Sequence, residues 1–155
     1  MRRIPVRPIL GLHPGLILAV LDVVGLAVAT YLSAVELAGG VPACGVLKGC
    51  EEVARSEYSR VAGVPVAVFG VALSAVLLTM AVAWWRTDAS VLLLGHYGLS
   101  LAGVLFELYF SYLQVFVIGA VCIWCATYGI SLIARFAIAL VVWIRARPTG
   151  LIASE

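Results

Sequence analysis

Four long apolar stretches limit what this chain can fold into more than any other feature of it. They run over residues 15–37, 65–85, 89–112 and 116–144. The hydrocarbon core of a bilayer takes about 20 consecutive apolar residues in a helix. At 1.5 Å per residue the first stretch makes about 34 Å of helix, enough to cross with some tilt. With no water in that layer, each backbone polar group must be satisfied inside its own segment, which selects helices here. The expectation is an all-α integral membrane protein, a four-transmembrane-helix bundle formed by one domain over residues 1–155. Composition agrees: 64% of residues are hydrophobic and 12% charged, against roughly 25% charged in soluble domains. The net charge of +2 is too small to suggest nucleic-acid binding, and no nucleic-acid partner is expected. The first stretch is too long for a cleavable signal peptide and lacks a small-residue cleavage site.

Charge matters by position. Arg2, Arg3 and Arg7 precede the first span, Arg86 lies in a tight turn after the second, and Arg145 and Arg147 follow the fourth. Basic flanks stay on the cytoplasmic side, so both termini are expected there. Trp84 and Trp85 read as anchors at the headgroup level. Residues 38–63, the one long polar segment, then face the outside, with a short surface helix over Glu51 to Tyr58. Gly63-Val64-Pro65 re-enters the bilayer, with proline near a helix start, where its missing N–H does least harm. Ser111 to Gln114 reads as a short outside turn.

The chain has 4 cysteines, and this topology puts all of them on the outer side. Cys44 and Cys50 lie in the polar loop, and Cys122 and Cys125 enter the fourth span from outside. Cys-x-x-Cys on a helix brings both sulfurs to nearly one face, one turn apart. The outer side of a bacterial inner membrane, or the lumen of an equivalent compartment, permits disulfides. Thiol–disulfide exchange can pass electrons between the pairs if the loop folds over the bundle. Two separate structural bridges are an alternative. A four-thiolate zinc site is another, allowed by the spacing but doubly anionic close to hydrocarbon. Zinc content after purification separates the metal reading from the rest.

Taken in order, these residues resemble a known family. Cys44-x5-Cys50, Ser56 six residues on, Gly63-Val64-Pro65 with Phe69-Gly70, and Tyr109-x-x-Tyr112-Leu113-Gln114 ahead of Cys122-Ile123-Trp124-Cys125 together resemble a bacterial member of the vitamin K epoxide reductase family, over nearly the whole chain. The resemblance implies a relay. A thioredoxin-like protein gives electrons to the loop pair, the loop pair to the Cys-x-x-Cys pair, and that pair to a quinone, ubiquinone or menaquinone. By the same resemblance Cys44 exchanges with the partner, Cys50 bridges to Cys122, and Cys125 faces the quinone ring. Ser56 resembles the family's loop serine near the head group. Some animal members carry a tyrosine four residues beyond the last cysteine; here that position is Gly129, and Tyr128 stands one residue earlier. Many bacterial members carry a fused thioredoxin-like domain. This chain ends at Glu155 without one, so a separate periplasmic partner is expected, and the location implied is the bacterial inner membrane. Reduction of vitamin K epoxide, as in animal relatives, is the alternative enzymatic reading, and a plain structural subunit the alternative outside enzymology.

A quinone head needs a flat apolar slot with one or two donors. Phe69, Phe106, Tyr109, Tyr112, Phe116, Trp124 and Tyr128 are the aromatic candidates, with Ser56 as a donor. Polar residues inside a membrane need partners. Asp22, His96 and Arg135 lie at similar depths, so Asp22 and Arg135 are expected to pair inside the bundle with His96 nearby. Glu36 and Glu107 lie near the outer end and read as reaching water. Gly25, Ala29 and Ser33 make a stripe of small residues for close helix packing.

Overall fold

The computed structural model describes residues 12–44 and 49–146. Arg2, Arg3, Arg7, Lys48 and Arg147 lie outside them. The first helix, α1 (Pro14–Leu37), starts where the His13 side chain accepts a hydrogen bond from the Gly15 N–H at 3.1 Å, with proline in the first turn. It ends at Ala38 and Gly39, the latter in the left-handed region. A loop carries Cys44 to a short helix, α2 (Gly49–Arg55), and a 3-10 turn, Glu57–Ser59. Strands β1 (Arg60–Val61) and β2 (Val64–Pro65) then pair antiparallel. Their turn residues, Ala62 and Gly63, both have positive φ, the geometry that matches strand twist in a two-residue hairpin. Helices α3 (Val66–Thr87) and α4 (Ser90–Tyr112) follow, then a π-helical continuation, Leu113–Ile118, and α5 (Ile123–Ala146).

Among the described residues, four helical segments are long and apolar enough to cross a membrane: Pro14–Leu37, Val66–Thr87, Ser90–Ile118 and Ile123–Arg145. The protein is an all-α membrane bundle. Helix α1 packs on α3 and α5, and α4 packs on the same two. Many of the inward residues are small: Ala19, Gly25, Ala29 and Ser33 on α1, Ser74 and Ala81 on α3, Ser100 and Gly103 on α4, Ala139 on α5. Large apolar residues such as Val20, Leu105, Leu108, Ile130 and Ile144 face outward. That division suits a lipid solvent, where close backbone approach drives association and hydrocarbon surroundings cost an outward leucine nothing.

Two expectations are corrected. Ser111 to Gln114 is not a turn. The α4 backbone stays helical to Ile118 and stops at Gly119, φ +72°, with the Ala120 N–H closing on the Gln114 carbonyl at 2.9 Å. The last helix therefore begins at Ile123 rather than near 116. Trp84 is not a headgroup anchor. It is 1% exposed, packed with Leu18, Ala81, Leu93, Ala139 and Val142 and against the His13 ring at 5.3 Å, while Trp85 is exposed. The reason is the α3–α4 corner. Asp88 takes the left-handed conformation, its N–H bonds the Trp84 carbonyl at 2.8 Å, and its carboxylate holds His13 Nε2 at 3.2 Å. That closure draws Trp84 inward.

The polar residues of the spans meet in the bundle interior. Arg135 donates to Asp22 Oδ1 at 3.1 Å, and His96 Nε2 lies 3.1 Å from Asp22 Oδ2. Arg135 also donates to the Ser131 hydroxyl at 2.8 Å and the Ser131 carbonyl at 3.1 Å. All three charged or titratable side chains are at most 1% exposed. Gly25 is required beside them, because a Cβ there would collide with the Arg135 guanidinium. A buried charge is tolerated only when paired and hydrogen-bonded, and this cluster meets both conditions.

Candidate functional site

Both cysteine pairs sit at one end of the bundle, opposite the His13–Asp88 corner. Cys44 and Cys50 are joined as a disulfide with Cα atoms 5.9 Å apart, and Cys122 and Cys125 are free. The loop is held over the fourth span by named contacts. Trp124 donates from Nε1 to the Ala43 carbonyl at 2.9 Å, and its ring lies 4.8 Å from that of Tyr31. The Ala43 N–H in turn bonds the Tyr31 hydroxyl at 3.1 Å. Gly49 lets α2 rest on the Val121 backbone: a Cβ there would run into the Val121 carbonyl. As a result Cys50, 1% exposed, and Cys122, 2% exposed, face each other with sulfurs 3.6 Å apart. Sulfurs in contact need only a small displacement to reach bonding distance.

Cys122 caps α5. Its carbonyl accepts the Ala126 N–H at 3.0 Å, and its sulfur accepts the Cys125 N–H at 3.3 Å. Its own N–H donates to Gln114 Oε1 at 2.8 Å. A helix N-terminus favours a thiolate. The Cys122 thiol is lowered to about 7, chiefly by the hydrogen bond that its sulfur accepts from the Cys125 thiol, with the Cys125 and Trp124 N–H groups adding to it against the opposing effect of burial. Gln114 was absent from the sequence-level candidates. Its signal is its place in the Tyr-Leu-Gln run, but its contact depends on the π-helical turn that swings it toward Cys122.

Cys125 opens onto a cavity of about 480 Å³ between the loop and α1, α3, α4 and α5. Its walls are almost wholly apolar, with Leu32, Leu73, Phe106 and Leu132 among them. Of the expected aromatic and donor residues, Ser56, Phe69, Phe106 and Tyr128 line it. Tyr109, Tyr112, Phe116 and Trp124 do not. Tyr109, Tyr112 and Phe116 are more than half exposed on the outer face of α4 and its extension, and Trp124 is turned to the loop as a clasp. Three of the hydroxyls that reach the cavity are already engaged: Ser56 donates to the Val53 carbonyl at 2.8 Å, Ser59 to the Ser56 carbonyl at 2.9 Å, and Tyr128 to the Gly70 carbonyl at 3.1 Å. Glu36 and Glu107, expected at the water, both line the cavity instead. Gly129 makes room for Glu107, since a Cβ there would lie 2.8 Å from its Cγ. Among the described residues no group of three or more His, Cys, Asp or Glu is arranged to hold a metal.

A membrane-embedded dithiol in van der Waals contact with a disulfide on a loop defines a class, the membrane thiol–disulfide oxidoreductases. The family comparison agrees: the model of the vitamin K epoxide reductase family matches residues 16–140, and the chain belongs to that family. No match was found among individually curated proteins. Family membership makes the chain a multi-pass membrane oxidoreductase, of a family that in general works with thiol-redox partners.

Proposed function

We propose that the chain oxidises a thioredoxin-like protein outside the bacterial inner membrane, with both its termini in the cytoplasm, and delivers the electrons to a quinone. Cys44, half-buried at the loop, is the sulfur a partner thiolate attacks. Once the partner has closed its own disulfide, Cys44 and Cys50 are left as thiols. Cys50 then attacks Cys122 of an oxidised Cys122–Cys125 pair, which frees Cys125 as a thiol, and Cys44 attacks Cys50 of the resulting Cys50–Cys122 bridge, which closes the loop disulfide and frees Cys122. The state on view, loop pair closed and helix pair open, is the product of that transfer. The 3.6 Å between the Cys50 and Cys122 sulfurs is the observation that carries the reading.

The quinone is the substrate of the second half-reaction. The cavity suits its ring: it falls in the roughly 300–1,000 Å³ range of small-molecule sites, it is apolar, and Cys125 stands at its wall. Ser56, Phe69, Phe106 and Tyr128 are the wall residues that would hold the ring. The test is quinone reduction by the detergent-solubilised chain, driven by a reduced thioredoxin-like protein. The parent is expected to turn over and Cys125→Ala to be inactive. No turnover by the parent with ubiquinone or menaquinone analogues would refute the proposal.

A further inference from the structure

We infer that Glu107 is the proton-transferring residue of the cavity, taking the proton that leaves Cys125 and giving it to a quinone carbonyl oxygen. The inference rests on the reading of the cavity as a quinone site. Glu107 comes from α4 and reaches across to α5, where a Cβ on Gly129 would lie 2.8 Å from its Cγ and 2.9 Å from its Oε1. Gly129 is one helical turn from Cys125, on the same face. Carboxyl and thiol therefore line one cavity from neighbouring positions.

The Glu107 carboxyl has no hydrogen-bond or ion-pair partner among the described residues. The arginine of the bundle interior is engaged: Arg135 is bound to Asp22 and Ser131. Arg60 donates to the Glu36 and Gly63 carbonyls. An unpartnered carboxyl facing a nearly apolar cavity inside a span is costly. The Ser56 and Tyr128 hydroxyls direct their hydrogens at the Val53 and Gly70 carbonyls, which leaves Tyr58 as the other hydroxyl on the cavity to be tested.

The step balances. The S–H bonds of Cys122 and Cys125 break, one S–S bond forms between them, and the two electrons go to the quinone. The quinone becomes a quinol by forming two O–H bonds. Glu107 carries one proton from Cys125 to the nearer carbonyl oxygen and finishes as it began. The Cys122 proton leaves to water on the loop side, and water supplies the other oxygen.

The experiment is single- and multiple-turnover reduction of a short-chain quinone by the full-length chain across pH. The acidic limb of the parent's kcat profile should carry two ionisations, that of Glu107 and that of the Cys122 thiol, whose acid constant is about 7. Glu107→Gln should lower kcat by about 100-fold or more, leave KM little changed, and reduce the limb to the single ionisation of Cys122. The other titratable groups on the cavity are Glu36 from α1, Tyr58 from the loop, and Cys125 and Tyr128 from α5. Both ionisations should persist in Glu36→Gln and Tyr58→Phe. A limb that keeps both in Glu107→Gln, or loses one in Glu36→Gln instead, overturns the inference. Thermal unfolding in detergent checks each variant. If Glu107→Gln does not fold, Glu107→Leu, apolar in an apolar cavity, decides by the same limb. A parent inert with every quinone removes the cavity's assignment and this inference together. A parent that turns over, with Glu107→Gln matching it, removes this inference alone.

Discussion

The Cys50 sulfur lies 3.6 Å from the Cys122 sulfur, across 72 residues of sequence. One belongs to a loop helix and the other caps a membrane span. Their contact is where the loop pair and the helix pair of cysteines touch.

That contact should be trappable. With the competing sulfurs removed in Cys44→Ala/Cys125→Ala, mild oxidation should join Cys50 to Cys122 almost completely. Mass spectrometry of the non-reduced peptides reads the bridge, and a free Cys50 would contradict the packing described.

The spacing depends on Gly49, whose hydrogen rests on the Val121 backbone. Gly49→Val should push α2 off α5 and separate the pairs. Oxidation of the protein thiol partner should fall by at least about tenfold, the equivalent of about 1.4 kcal/mol. Quinone reduction by a chemically reduced Cys122–Cys125 pair should be much less affected. Equal loss in both assays would show a general folding defect instead.

The Cys122 thiolate gives a pH dependence with a definite sign. Its acid constant is lowered to about 7, so the reactive thiolate gains as pH rises toward 7 and saturates above it. In Cys44→Ala/Cys50→Ala, iodoacetamide alkylation of Cys122 should rise about tenfold per pH unit below that midpoint and flatten above it. Adding Cys125→Ala removes the main hydrogen-bond donor to the sulfur and should move the midpoint up toward the ordinary thiol value of about 8.5.

The Asp22–Arg135 pair should show the asymmetry of buried ions. Arg135→Leu leaves Asp22 and His96 without their cation and should cost about 3–5 kcal/mol. In Asp22→Leu/Arg135→Leu most of that loss should return, because an apolar pair of similar size needs no compensation. Thermal unfolding of the single and double variants supplies the cycle. Additive losses would mean that the two side chains act independently.

Much of this was legible in the residues themselves. Apolar stretch length is a local sum, so the spans could be read without knowing any contact. Asp22 and Arg135 could be paired from depth alone, since an unpaired charge has no other refuge in hydrocarbon. The cysteine spacings and their place in the chain pointed to the family. The start of the last helix was misplaced because an apolar run looks the same whether it continues one helix or begins another; Gly119 and the turn before it made that choice.

The direction each helix faces was decided only by the tertiary structure. In water, polarity marks the outer face of a helix. In a bilayer the lipid and the protein interior are equally apolar, so the sequence of α4 does not say that Tyr109 and Tyr112 point outward while Glu107 points in. Those choices follow from where small residues such as Gly25, Gly103 and Gly129 let the helices close, and that fit exists only once all four have packed. The sequence by itself thus determined a four-span redox protein with its cysteines at one end. Packing determined which sulfurs meet, which side chains form the cavity, and that two carboxyls line it.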